Sequence, residues 1–196
     1  ARDDKGVHEA VHTTMMMTFI LSAAFTVIGV AMVPYMLRAM NTPADVFDGA
    51  AEYLRIYFYG VAGLMIYNMG AGILRAVGDS RRPLYFLIFS AVVNTVLDLV
   101  FVINFGWGNA GVAIATVVAQ CLSAVLVLIV LTRSSGYYKI DWRRMRINGR
   151  MLRTICKIGL PPALQQAVTS FSNVFVQAYI NQFGKACMAE IGRAHV

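Results

Sequence analysis

The sequence predicts an all-α integral membrane protein, a polytopic helical bundle, and three observations carry that expectation. Of 196 residues, 58% are hydrophobic and only 14% charged. Five apolar runs, each about 20 residues or longer, follow one another with mostly short connectors, and about 20 such residues span a hydrocarbon core. The Lys and Arg side chains collect in alternate connectors, as orientation signals do. A formal charge of +7 could suggest nucleic acid, but a surplus sorted between apolar runs reads as topology, and nucleic-acid binding is not expected. Cys121, Cys156 and Cys187 are isolated and odd in number. They predict neither a disulfide framework nor a zinc site, and read as small apolar fillers.

The first run covers residues 11–37, with mild polarity at Thr13, Thr14, Thr18, Ser22 and Thr26 and a proline, Pro34, near its end. Met15, Met16 and Met17 read as packing filler, because unbranched Met fits irregular gaps. Residues 38–48 form a short polar connector with Asn41-Thr42-Pro43 as its turn signal. The second run, 51–74, carries Gly60, Gly63, Gly70 and Gly72, and small residues let helices approach closely. Tyr53, Tyr57 and Tyr59 lie near one end, where an aromatic belt is expected. Asn68 needs a partner inside this run, either another helix or a watery cavity.

A tight basic turn at 75–83 precedes the third run, 84–103, which holds Asn94 and Asp98 in its interior. A carboxylate near mid-membrane costs about 2.5–3.5 kcal/mol on insertion scales, so such residues face a bundle interior or a cavity. The i, i+4 spacing puts both side chains on one helix face, about 6 Å apart along the axis. Two readings follow: a shared small cation, or a structural hydrogen bond to a neighbouring helix. The uncharged connector 104–110 leads to the fourth run, 111–132, where Ala115, Thr116, Ala119, Gln120 and Ser123 suit a packed helix.

Residues 133–157 form the only long connector and hold eight of the seventeen Lys and Arg residues. Met151, Leu152, Ile155 and Ile158 recur there at helical spacing against Arg150, Arg153 and Lys157, after an Asn148-Gly149 turn or cap. That pattern predicts an amphipathic helix in the headgroup layer, touching anionic lipid. The fifth run, 159–183, carries Gln165, Thr169, Asn173, Gln177 and Asn181 at steady intervals of four. So many amides against lipid tails would be costly, so this face must meet water or other polar groups.

Residues 1–10, 75–83 and 133–157 contain thirteen Lys and Arg between them, which places them in the cytoplasm. Asp98 then lies about 21 Å along its run from the cytoplasmic side. The chain opens without an initiator Met or signal peptide, and residues 190–196 resemble a reading frame of a DNA-sequencing adapter. Both ends are expected to be cut and the tail to be non-native.

Several stretches now resemble one family. Ala51-Glu52-Tyr53-Leu54-Arg55-Ile56 is one, and Gly72-Ile73-Leu74-Arg75-Ala76-Val77-Gly78-Asp79-Ser80-Arg81-Arg82-Pro83 another. With Asn94 to Asp98, Gly111-Val112-Ala113-Ile114-Ala115-Thr116 and Gly159-Leu160-Pro161, they are similar to the multidrug and toxic compound extrusion (MATE) transporters, up to Gly184. The resemblance implies five transmembrane helices, three to seven, of an expected twelve in two six-helix lobes. Residues 1–132 would be four helices of the first lobe, 133–158 the cytoplasmic link, 159–189 the first helix of the second lobe, and 190–196 the non-native tail. The first helix, with the family's essential Asp, would be absent.

Within the DinF-like branch, the resemblance implies a cation-coupling site at Asp98, Asn94 and Thr116, with Tyr53 and Asn68 in its hydrogen-bond network. A carboxylate, an amide oxygen and a hydroxyl are hard oxygen ligands that suit Na⁺. Another branch uses a Glu in the seventh helix, and here that position corresponds to Thr169. The expected function is Na⁺- or H⁺-coupled antiport exporting organic cations or amphiphilic drugs. No cofactor beyond the coupling ion is expected, and Gln165, Thr169, Asn173 and Gln177 would line the cavity. The full-length protein is expected to be a monomer, in contact with membrane lipids, in a bacterial or archaeal cytoplasmic membrane. A lipid-linked oligosaccharide flippase is the nearest alternative, but it would want a strongly cationic cavity. An intramembrane enzyme would need a motif such as HExxH, which is absent. A purely structural membrane subunit leaves Asn94 and Asp98 unexplained.

Overall fold

The computed structural model describes residues 4–40, 42, 44–134, 136–143 and 145–181, without the side chains of 4, 45, 174, 175 and 177–181. The described residues are helical with short connectors. The helices are α1 (Asp4–Ala39), α2 (Ala44–Ala76), α3 (Arg81–Leu99), α4 (Gly108–Arg133) and α5 (Gly149–Asn181), with a π-helical turn, Val100–Asn104, directly after α3. Helices dominate because a segment withdrawn from water must satisfy its own backbone donors and acceptors.

The segments Lys5–Ala39, Val46–Ala76, Arg81–Asn104 and Gly108–Arg133 are long and apolar enough to cross a membrane. α5 is long enough at 33 residues, but it is not among these spans. The amide stripe that begins at Gln165 lowers its hydropathy. The amphipathic stretch expected before the fifth run is not a separate helix. It forms the first turns of α5, which continues through Pro161 and Pro162. Met151, Leu152 and Ile155 are half-buried there while Arg150, Arg153 and Lys157 are exposed. The non-native tail expected at 190–196 lies outside the described residues, as do residues 182–189. Cys121 and Cys156, expected as packing fillers, are both exposed.

The chain divides into two compact units, Ala1–Met151 and Leu152–Val196. In the first, α1 packs on α2, α2 on α4, and α4 on α3. The α2–α4 seam is the closest. A Cβ built on Gly63 would lie 3.1 Å from the Cys121 backbone nitrogen and 3.2 Å from the Gln120 carbonyl carbon. Gly60 faces Val117 and Gly70 faces Val127, so the two helices run parallel, with positions rising together. On the other side of α2, Thr26 of α1 donates to the Phe58 carbonyl at 3.3 Å, and Gly29 leaves room for the Phe58 ring.

Two apolar clusters close the ends of this unit. One gathers Val33, Leu37 and Ala51. The other gathers Val11, Met15, Leu74, Val127, Leu131 and Ile140, and fully buried Met15 is the filler its neighbours require. Ile140 belongs to the linker, and its N–H donates to the Leu131 carbonyl at 3.0 Å. His12 is buried and has a partner at both ring nitrogens. Its Nδ1 contacts the His8 carbonyl at 2.8 Å, while its Nε2 accepts the Asp141 N–H at 3.0 Å. Thr13 Oγ1 accepts the Asn148 N–H at 3.2 Å, and Asn148 Nδ2 donates to Glu9 at 2.6 Å. Asn148 Oδ1 in turn accepts the N–H groups of Arg150 and Met151, which caps α5 as its Asn-Gly signal predicts.

The α2–α4 seam is directly testable. Gly63→Leu is expected to destabilise the bundle by about 1–3 kcal/mol through overpacking, read as a lowered melting midpoint in detergent. Gly72→Leu, where a Cβ meets nothing within 4 Å, should leave the midpoint unchanged.

Candidate functional site

α3 enters its seam with α4 at Ser90. This buried hydroxyl donates to the Ala119 carbonyl at 2.6 Å, and Ser123 donates to the same carbonyl from α4 at 3.1 Å. Further along α3, Phe101 meets Gly111, where an added Cβ would lie 3.0 Å from the Phe101 Cβ. These two contacts fix an antiparallel register, because each helix rises about 1.5 Å per residue. The register puts Thr116 at the level of Asn94 and the turn beginning at Gly111 at the level of Asp98.

Asn94 Nδ2 and Asp98 Oδ1 are buried and have no hydrogen-bond partner. Buried polar groups are nearly always paired, and leaving one unpaired costs about 1–3 kcal/mol, more for a charged group. The orphaned Asp98 Oδ1 can take a cation, a proton or a water, whereas Asn94 Nδ2, one helical turn away, is a donor that needs an acceptor such as water. The Thr116 hydroxyl donates to the Val112 carbonyl at 3.0 Å. With its proton committed there, its remaining lone pairs are left for a cation. The donor set fits Na⁺, a hard cation that takes oxygen ligands. Among the described residues no group of three or more His, Cys, Asp and Glu is placed to hold a metal ion.

The remaining expected residues are not all brought together. The parallel α2–α4 register places Tyr53 and Tyr57 near the level of Asp98. They stack on each other, ring centroids 6.5 Å apart, with Tyr53 exposed. Asn68 lies three to four turns from Asp98 towards the Pro83 end of α3, exposed, with its amide donating to the Leu64 carbonyl of its own helix at 2.9 Å. Gln165, Thr169 and Asn173 follow one another along α5, exposed, and Thr169 donates to the Gln165 carbonyl at 3.0 Å. The Gln177 side chain lies outside the described residues.

Two features escaped sequence reasoning. The π-helical turn that begins two residues after Asp98 gives no signal, since Val100-Phe101-Val102-Ile103-Asn104 reads as ordinary apolar helix. Such turns are frequent at functional sites. Around it Phe101, Phe105 and Trp107 form a ring cluster, with Phe101 and Trp107 centroids 5.1 Å apart. Ser90 was unremarkable in sequence because its partner is a backbone carbonyl of another helix.

Comparison with known proteins adds an independent line. The MatE family model matches residues 1–100. A probable multidrug resistance protein of Bacillus subtilis, YoeA, is 29% identical over 98% of this chain and 43% of its own length. The FAD transporter of Shewanella oneidensis is 26% identical over 92% of this chain and 41% of its own. Among solved structures, a MOP superfamily transporter from Pyrococcus furiosus, described as having a binding pocket of reverse polarity, is 26% identical. It superposes with a TM-score of 0.83 over 90% of this chain and 39% of its own. The chain thus spans less than half the length of the relatives it matches.

The orphaned pair has a measurable consequence. Asp98→Asn is expected to raise the melting midpoint in Na⁺-free buffer, by the equivalent of about 1–3 kcal/mol, because it replaces a carboxylate that has one buried oxygen without a partner by a neutral amide. Na⁺ should raise the midpoint of the unaltered chain only. A lowered midpoint, with Na⁺ protection retained, would show that Asp98 is a structural partner.

Proposed function

The chain belongs to the MatE family, and we propose that it supplies the ion-coupling part of a membrane antiporter that exports organic cations or amphiphilic drugs. The observation that carries this reading is the orphaned, buried Asp98 Oδ1 on a membrane-crossing helix, with Asn94 one turn earlier on the same face. Asp98 holds the charge, Asn94 offers its amide oxygen, and Thr116 offers the lone pairs left by its bond to Val112. Asp98 alone among the three can change its charge. Na⁺ or a proton bound there drives export only if it binds one conformation of the transporter more tightly than the other. The π-helical turn beside Asp98 gives α3 a segment whose hydrogen bonding can change register during that exchange. On α5, Gln165, Thr169, Asn173 and Gln177 would face the cargo, since an amide stripe is unsuited to lipid. The protein sits in a bacterial or archaeal cytoplasmic membrane with the link around residues 133–157 on the cytoplasmic side, and the working protein is a monomer.

The test is ion-driven efflux of a fluorescent cation from vesicles, using a chain of the relatives' full length that carries this segment, under separate Na⁺ and H⁺ gradients. Asp98→Asn should abolish coupling while folding survives. Asn94→Ala and Thr116→Ala should weaken ion affinity roughly tenfold or less, the effect of about 0.5–1.5 kcal/mol per lost ligand group. Parent-rate coupling in Asp98→Asn would overturn the assignment. A flavin dinucleotide belongs in the same assay, because a relative carries that cargo.

Orientation has its own test. In a background with the native cysteines replaced by serine, Asn109→Cys should react with an impermeant thiol reagent from outside and Ser134→Cys should not. The opposite pattern would invert the proposed topology.

A further inference from the structure

The end of α4 and the linker that follows it enclose two hollows that the transport reading leaves unused. The first, about 470 Å³, is lined by Arg82, Arg133, Ser134 and Tyr138 over a floor of Ile129 and Val130. The second, about 240 Å³, lies between α4 and the linker and is almost wholly apolar, with Val125, Leu128 and Trp142 in its walls. Ile129 and Arg133 border both. The hollows therefore adjoin along Ile129 and Arg133, one cationic and the other greasy.

The charge of the first hollow is specific. Arg82 gives its Nε to Asp79 at 3.3 Å, which compensates one of the two guanidinium charges. Among the described residues Arg133 has no acidic side chain within 4.0 Å, so one positive charge is left over. The groove beside it is fixed in place. Trp142 donates through Nε1 to Thr132 Oγ1 at 3.2 Å, and its ring rests on Phe19, centroids 5.8 Å apart. It nevertheless remains 50% exposed, as do Val125 at 50% and Ile129 at 42%. A half-exposed indole with its N–H bonded is the side chain expected at a membrane–water boundary.

We propose that these hollows are one site for a single anionic phospholipid of the cytoplasmic leaflet. Its phosphodiester sits between Arg133 and Arg82, within reach of the Ser134 and Tyr138 hydroxyls, and its acyl chain lies in the groove beside Trp142. A headgroup with one net negative charge matches the one unmatched guanidinium, whereas a zwitterionic headgroup brings no net charge to it. Arg suits this role because its planar fork binds phosphate through two parallel hydrogen bonds. A free phosphate ion would fill the first hollow and leave the apolar groove without an occupant. The site tethers the first turns of the linker to the bilayer at the point where the chain leaves α4. The leaflet, though not the chemistry, rests on the orientation proposed above, which the cysteine labelling tests separately.

Trp142 is its own reporter. In a Trp107→Phe background it is the remaining tryptophan, and brominated acyl chains quench indole fluorescence on contact. The chain is reconstituted into phosphatidylcholine vesicles containing a rising fraction of brominated phosphatidylglycerol or, separately, brominated phosphatidylcholine. Phosphatidylglycerol should quench saturably, with a preference of roughly fivefold, the effect of one basic side chain at a membrane surface. Arg133→Gln should abolish the preference, and Arg133→Lys, which keeps the charge but loses the fork, should retain part of it with the same helical circular dichroism. Equal quenching by the two lipids, or a full preference in Arg133→Gln, would overturn the site. Loss of the preference in millimolar inorganic phosphate would identify a phosphate-ion site instead and equally overturn it.

Discussion

The close approach of α2 to α4 at Gly63, where backbone meets backbone with no side chain between, sets the register on which the other helix positions depend. Without a hydrophobic drive between helices in lipid, van der Waals fit and interhelical hydrogen bonds decide which surfaces meet. α4 passes that register on to α3 through Ser90 and the Ala119 carbonyl. It also carries the linker, which begins at its last turn and docks through Ile140. A shift of α4 by one turn would move Thr116 about 5.4 Å away from the level of Asn94.

Against that packed frame the polar groups divide into two kinds. Thr18, Ser22, Thr95 and Thr169 satisfy themselves on carbonyls of their own helices, which is the cheapest solution in an apolar medium. Ser90, Thr26 and Tyr67 reach across to carbonyls elsewhere and tie the bundle together. Asn94 and Asp98 do neither. They lie close in sequence to the one π-helical turn among the described residues. A membrane bundle keeps such an arrangement where a ligand completes it, since an apolar pair in the same place would be more stable.

The linker end is organised differently. His12 takes part through both ring nitrogens, towards the His8 carbonyl and the Asp141 N–H. Thr13 and Glu9 hold Asn148, and Asn148 caps the helix that follows. The first helix thus fixes both the middle and the end of a connector more than a hundred residues away in sequence. The cationic hollow near Arg133 gives the same connector a second attachment, to lipid, under the proposal above.

The sequence alone determined the elements that a uniform solvent dictates. Apolar runs became helices at the expected places, because length and composition suffice when the alternative is unsatisfied backbone in hydrocarbon. The family was legible from ordered motifs such as the one from Gly72 to Pro83, and Asp98 from the cost of a carboxylate in an apolar run. Helix ends were less legible: α1 and α2 extend well past their apolar cores, since hydropathy marks the membrane and not the hydrogen-bond ladder. Tertiary structure decided what depends on distant partners. It put Thr116 level with Asn94, set Asn68 three to four turns apart from Asp98, and gave His12 a partner 129 residues away. It also left one oxygen of Asp98 without a partner. Sequence spacing fixes which residues share a helix face, but only packing between helices fixes what that face meets.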